Sequence, residues 1–199
     1  MSDRKRLTSG DRRAQLEDAA LACMAQGGIL HFTIDKVCAR AGVSRGLITH
    51  HFGSKDGLLA AVYARMYAGM LTAIEETIAG QPRIVTLVEA MVSPAQFAPD
   101  TLNIWLTLWG EIATNATLRH EHRRQYATYR ADVVAAVQEL AVARNHSVDA
   151  DALALSLICL IDGLGLQRCI DPAVLDAGDA RKACYDLLEP ALGPLRPDI

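Results

Sequence analysis

The chain has 199 residues, 51% of them apolar, and a formal net charge of −3. That suits one large domain or two small ones, with apolar residues enough for a packed core. Five scattered cysteines, odd in number and without a Cys-x-x-Cys pair, point to buried, reduced thiols, and nothing in their spacing supports a redox switch. The opening "MSDRKRLTSGDRR" is too polar for a secretory leader. The longest strongly apolar stretch, "ALALSLICLI", ends at Asp162 and at ten residues is too short to span a bilayer. The expectation is a cytoplasmic protein without a membrane segment.

Aromatic residues are few (three Phe, two Trp, five Tyr) while Ala and Leu dominate, so the pattern predicts an all-α fold. Charge is uneven along the chain. Residues 1–60 carry 9 Lys+Arg against 6 Asp+Glu, and the remainder 11 against 17. A basic head on an acidic body suits binding to nucleic acid at one end.

In chain order, a first helix is predicted over 11–25, with Leu16, Ala19, Ala20, Cys23 and Met24 at helical spacing and "QGG" as its stop. Thr33 caps a short helix over 34–40, with Asp35 in the first turn. Gly42 breaks it, and Ser44 caps the next helix over 45–51. Ser54 then opens a long helix reaching about residue 79. "GQP" marks a break. The rest reads as helices over 83–92, 99–115, 117–145, 149–170 and 173–190, separated by Pro and N-cap residues. The tail "GPLRPDI" is expected to be loose.

Two short helices joined by a Gly-containing turn make a helix-turn-helix. Ile34, Val37, Cys38, Ala41, Val43, Leu47, Ile48 and Phe52 can close a small core beneath it. Arg45, Gly46, Thr49, His50 and His51 are then left on the other side. In a DNA reader that face enters the major groove, with Arg45 offering a fork to guanine or phosphate and Gly46 allowing close approach. Thr33, Ser44 and Lys55 stand at helix N-termini, where phosphates are favoured. Geometry alone also fits the solvated side of an ordinary helical corner.

The segment "FTIDKVCARAGVSRGLITHHFGSKDGLLAAVY", residues 32–63, resembles the N-terminal domain of the TetR family of repressors. Thr33, Ala41, Gly42, Val43, Ser44, His51, Phe52, Ser54 and Lys55 match its pattern. The resemblance covers about residues 10–70. It implies a three-helix DNA-binding domain (1–55, with a connecting helix over 54–79) and a C-terminal ligand-binding and dimerisation bundle (80–199). The family commonly has a phosphate-touching Tyr where this chain has Thr49. "GLITHHFGSKDGLL" is more similar to the choline-responsive, BetI-type repressors of the betaine pathway than to the founding tetracycline repressor, and "LTLWGEIATNATLRHEHRRQY" and "LICLIDGLGLQ" resemble that subgroup less specifically.

In the second half, Leu153, Leu157, Leu160, Ile161 and Leu164 form an apolar stripe. The resemblance implies that the two C-terminal helices of each subunit build a homodimer interface, so Leu153, Leu157, Leu160 and Leu164 are its candidate residues. Trp105 and Trp109, four apart, share a helix face, and Tyr126 and Tyr129, three apart, lie on the next. With Asp162, such aromatic walls are the chemistry that holds a quaternary ammonium, and a choline-like effector follows. The same aromatic spacing also suits plain core packing. His120 and His122 in "RHEHRR" are two apart, point to different sides of a helix and read as a solvated face.

No catalytic constellation, phosphate-cradling loop, cofactor motif or metal spacing is recognisable. The expected function is a homodimeric, effector-responsive repressor of palindromic operator DNA. The alternatives are a helical dimer whose head binds a protein, and a small helical enzyme.

Overall fold

A computed structural model describes residues 8–75 and 81–195, without side chains at 71–75. Among the described residues every regular element is a helix. In order they are α1 (Ser9–His31), α2 (Ile34–Ala41), α3 (Arg45–Phe52), α4 (Lys55–Glu75), α5 (Arg83–Met91), α6 (Pro99–Ile112), α7 (Ala116–Ala143), α8 (Ala150–Ile170) and α9 (Ala177–Leu192). The predicted end of α4 near 79 and the Gly80 break lie outside the described residues.

Local chemistry accounts for most boundaries. Thr8 and Asp11 form a reciprocal capping box at the start of α1. The expected stop at "QGG" is a kink instead, with non-helical angles at Gly27 and Gly28 before one last turn to His31. Thr33 accepts a hydrogen bond from the amide of Lys36 at 3.3 Å and caps α2. Gly42 ends α2 with φ 64° and ψ 39°, the left-handed geometry that glycine adopts most cheaply. Helix α9 starts at Ala177 rather than 173, because Asp176 caps it in a second capping box with Asp179.

The fold divides into two compact units, and the division differs from a simple cut near residue 80. One holds the described residues up to Arg65 with Asn103–His122. The other holds Met66–Leu102 and Arg123 onward.

In the first unit, Leu16, Ala20 and Met24 of α1 are buried together with Phe32, Val37, Cys38, Ala41 and Ile48 and with Leu58, Leu59 and Val62 of α4. Ile34, Val43, Leu47 and Phe52, expected in that core, are half-buried at its rim. Each fully buried leucine contributes roughly 1.5–3 kcal/mol. Polar ties join the helices. Arg13 donates to the Phe52-adjacent carbonyl of His51 at 2.9 Å and lies 4.5 Å from the Phe52 ring centroid. Gln15 donates to the Ala41 carbonyl at 2.9 Å.

In the second unit, α8 packs on α9, with Ala154, Leu157, Ile158, Cys184, Leu188 and Leu192 buried. Glu89 of α5 accepts from Arg181 Nε and from the Tyr185 hydroxyl, each at 2.7 Å. The start of the expected loose tail is held, since Leu195 is buried and Arg144 donates to the carbonyls of Leu192 and Pro194; residues 196–199 of that tail lie outside the described residues. Cys23, Cys38 and Cys184 are buried as expected, and burial first, then the nearby Glu89, pushes the Cys184 thiol up to about 12. Cys159 departs from that expectation and is exposed.

Candidate functional site

Helices α2 and α3 and the start of α4 present polar residues to solvent. Thr33, Ser44, Arg45, Gly46, Thr49, His50 and Lys55 are all exposed, and His51 is half-buried. Arg45 and Thr49 are one turn apart, as are Gly46 and His50, so α3 offers two adjacent rows. A Cβ on Gly46 would meet nothing nearer than the Ser44 hydroxyl at 4.0 Å, so the backbone there is open to close approach. Ser44 is the N-cap residue of α3, yet its side chain makes no capping hydrogen bond. Its hydroxyl therefore stays available at a helix N-terminus, where anions are favoured. Lys55 opens α4, 5.3 Å from the Phe32 ring centroid. Asp35 takes both the Nε and an Nη2 hydrogen of Arg45, the former at 2.5 Å.

Gly57 positions this face. It lies in the first turn of α4, where its amide donates to the Ser54 hydroxyl at 3.0 Å. A Cβ there would fall 1.9 Å from the Phe52 carbonyl oxygen, so only glycine lets α4 start this close to the end of α3. The sequence signal is "SKDG" itself, a glycine where helix propensity disfavours one.

The aromatic residues fall into two groups. In the first unit Trp105 and Trp109 stack, with ring centroids 5.9 Å apart and 28° between planes. Tyr63 meets Trp105 edge-on at 5.9 Å, and its hydroxyl is hydrogen-bonded to His122 Nδ1 at 2.7 Å. His122 is thus engaged with this cluster rather than part of a solvated face. Arg119, from the same "RHEHRR" run, donates to the carbonyls of Ile112 and Ala113 at the end of α6. No group of three metal-ligating side chains occurs among the described residues.

In the second unit Tyr129 is buried, 6.1 Å from the Tyr67 ring, and its hydroxyl donates to Met91 Sδ at 3.0 Å. Burial first, then the charge of Asp162, raises Tyr129 well above the ordinary tyrosine value. Tyr126, half-buried, is raised by burial and then by Cys159 and Asp162. Asp162 is exposed on α8, one turn from the exposed Cys159 and Leu166, and desolvation by the surrounding chain raises its carboxyl to about 6.

Helix α8 runs unbroken through Asp162 for 21 residues, not the ten of its most apolar stretch. Among the described residues it alone is long and apolar enough to cross a membrane, with 28% of its most apolar 18-residue stretch buried within the chain. The expected stripe is partly internal. Leu157 is fully buried, and Leu153, Leu160 and Leu164 are half-buried. The outward apolar row is instead Ala152, Leu155, Cys159, Gly163, Leu166 and Ile170. A helix apolar on nearly all sides gives no sequence phase by which to choose between these rows.

Two family patterns match the chain: that of the bacterial regulatory proteins of the tetR family over residues 16–62, and the C-terminal domain of BetI-type transcriptional repressors over 80–193. The HTH-type transcriptional regulator BetI of Burkholderia thailandensis is 31% identical over 192 residues, covering 92% of this chain and 94% of that protein. A solved transcriptional regulator from Pseudomonas aeruginosa PAO1 superposes with a TM-score of 0.78 at 34% identity, covering 93% of this chain and 92% of its own. A regulator from Saccharomonospora viridis, solved in complex with choline, shares the fold with a TM-score of 0.76 at 23% identity, covering 90% and 96%. This chain belongs to the TetR family of transcriptional regulators, with the C-terminal domain of the BetI-type repressors, and is a DNA-binding, ligand-responsive regulator rather than an enzyme.

Proposed function

We propose that the chain represses transcription in the cytoplasm by binding a palindromic operator as a homodimer, and that a choline-like cation releases it. The DNA contacts assigned are Thr33, Ser44, Arg45, Gly46, Thr49, His50, His51 and Lys55. The observation that carries this reading is the exposed face of α3, with Arg45, Gly46, Thr49 and His50, flanked by the N-termini of α2 and α4. Thr49 is shorter than the Tyr common at that place, so its phosphate must approach more closely. A second copy supplies the other half-site, about 34–36 Å away along the duplex. The outward row of α8, with the half-buried Leu153, Leu160 and Leu164 at its flank, is the surface assigned to that copy.

For the effector, Tyr126, Tyr129 and Asp162 in the second unit provide ring faces and one carboxylate, the pairing that suits a quaternary ammonium. The relative solved with choline supports that ligand class. The stacked Trp105 and Trp109 in the first unit offer a second aromatic face for the same chemistry. Effector binding favours a form whose heads no longer match the groove spacing, and operator affinity falls.

Selection of random duplexes on the purified protein tests the reading. A palindromic motif, lost from the bound pool when choline is added, is expected. Folded dimer that enriches no motif, with or without choline, would sink it.

A further inference from the structure

The pairing of Arg45 with Asp35 bears on which base this protein reads. Arg45 is the first residue of α3, and the N-terminal residues of a recognition helix are those that reach base edges. Asp35 is the second residue of α2, and the two meet across the turn between the helices. Both side chains are well exposed, at 71% for Arg45 and 65% for Asp35. The contact uses the side of the guanidinium, through Nε and Nη2. A planar guanidinium held this way still has its end edge, with one N–H from each Nη nitrogen pointing in parallel. Those two donors match the O6 and N7 acceptors of guanine in the major groove.

Charge argues for a base rather than a phosphate. An arginine already neutralised by a carboxylate gains little from a phosphate, and the phosphate is repelled by the carboxylate. Neutral acceptors on a base edge carry no such penalty. The fixed fork also removes rotamer freedom before DNA arrives, so less is lost on binding.

We propose that Asp35 is a specificity-determining residue: it holds Arg45 side-on so that the free end of the guanidinium reads one guanine in each operator half-site. This rests on the DNA-reading function proposed above. Asp35 itself touches no base and acts through Arg45. Phosphate contacts then fall to Thr49 and to Ser44, Thr33 and Lys55 at the helix N-termini.

The test is parallel selection of random duplexes with the wild type, Arg45→Ala, Asp35→Ala, Asp35→Asn and the Arg45→Ala/Asp35→Ala double variant. Circular dichroism and melting confirm that each is folded, and the exposed pair lies outside the core. The wild type is expected to enrich a palindrome with an invariant guanine in each half. Arg45→Ala should lose the preference at that position. Asp35→Ala should weaken it by about tenfold at the same position while other positions keep theirs, with Asp35→Asn in between. The double variant should be no worse there than Arg45→Ala, because both act through one contact. Asp35→Ala that keeps the guanine preference intact, or relaxes a different position from Arg45→Ala, overturns the proposal. So does uniform tightening on all sequences, which would make Asp35 only a repelling charge. A wild-type motif without that guanine overturns the proposal but leaves operator binding standing. A wild type that enriches nothing removes both.

Discussion

Gly57 and the carbonyl of Phe52 are packed so closely that a single added carbon would sit 1.9 Å from the oxygen. The contact sets where α4 leaves the end of α3, and hence how the polar face is held against the rest of the head. Gly57→Ala must therefore push the backbone apart. We expect a loss of about 1–3 kcal/mol in urea denaturation, the usual range for overpacking. Operator binding should fall with the head while the dimer persists in sedimentation. An unchanged denaturation midpoint would show that the close approach has no energetic consequence.

Lys55 lies on the polar face at the start of α4 and beside Phe32. If it neutralises a phosphate, Lys55→Ala should weaken binding to all duplexes alike. The slope of log affinity against log salt should become shallower by about one. A change confined to one sequence position would instead assign Lys55 to a base.

Leu155 and Leu166 are 44% and 38% exposed on the outward row of α8, whereas Leu157 is fully buried. Glutamate at 155 and 166 should leave helix content intact and yield monomers in sedimentation, with operator affinity reduced at least about tenfold because one half-site contributes alone. Glutamate at 157 should unfold the second unit, since an unpaired charge is then placed in its core. A dimer surviving both outward substitutions would move the interface to another surface.

Asp162 gives a pH dependence with a definite sign. Its carboxyl is raised by desolvation to about 6, so the folded protein favours the proton more than the unfolded chain does. The ionised form costs stability above pH 6, and that cost is relieved as pH falls toward 4. A bound cation reverses the preference by favouring the carboxylate. Choline affinity, measured by calorimetry, should thus level off above pH 6 and fall by up to about tenfold per unit below it. Asp162→Asn should lose affinity and its pH dependence together, and should raise the melting temperature of the ligand-free protein at pH 7.5. Equal choline binding by wild type and Asp162→Asn would place the cation elsewhere, with Trp105 and Trp109 the next residues to substitute.

The head was the most legible part of the sequence because its signals are local. Thr33 needs only the amide three residues on, and Gly42 only its own backbone angles, so both could be read without knowing any neighbour. Gly57 could not, since its reason lies in a carbonyl five residues back across a turn. The pairing of Asp35 with Arg45 is hidden in the sequence for the same reason, because the two meet across a turn and not along one helix. Spacing correctly put Trp105 against Trp109, but spacing within one helix carries no information on which compact unit a helix joins. The phase of α8 was illegible because apolar residues surround the helix, leaving burial to tertiary packing.

The bare row on α8 has a consequence for dosage. A chain that needs a twin before it can grip both half-sites does not occupy its operator in simple proportion to its abundance. While most chains are single, doubling their number quadruples the pairs, so repression sets in over a narrow span of protein level. If the row on α8 is the interface proposed above, how tightly Leu155, Leu166 and Ile170 are covered decides how many copies a cell must hold before the operator is filled, independently of anything written in the operator.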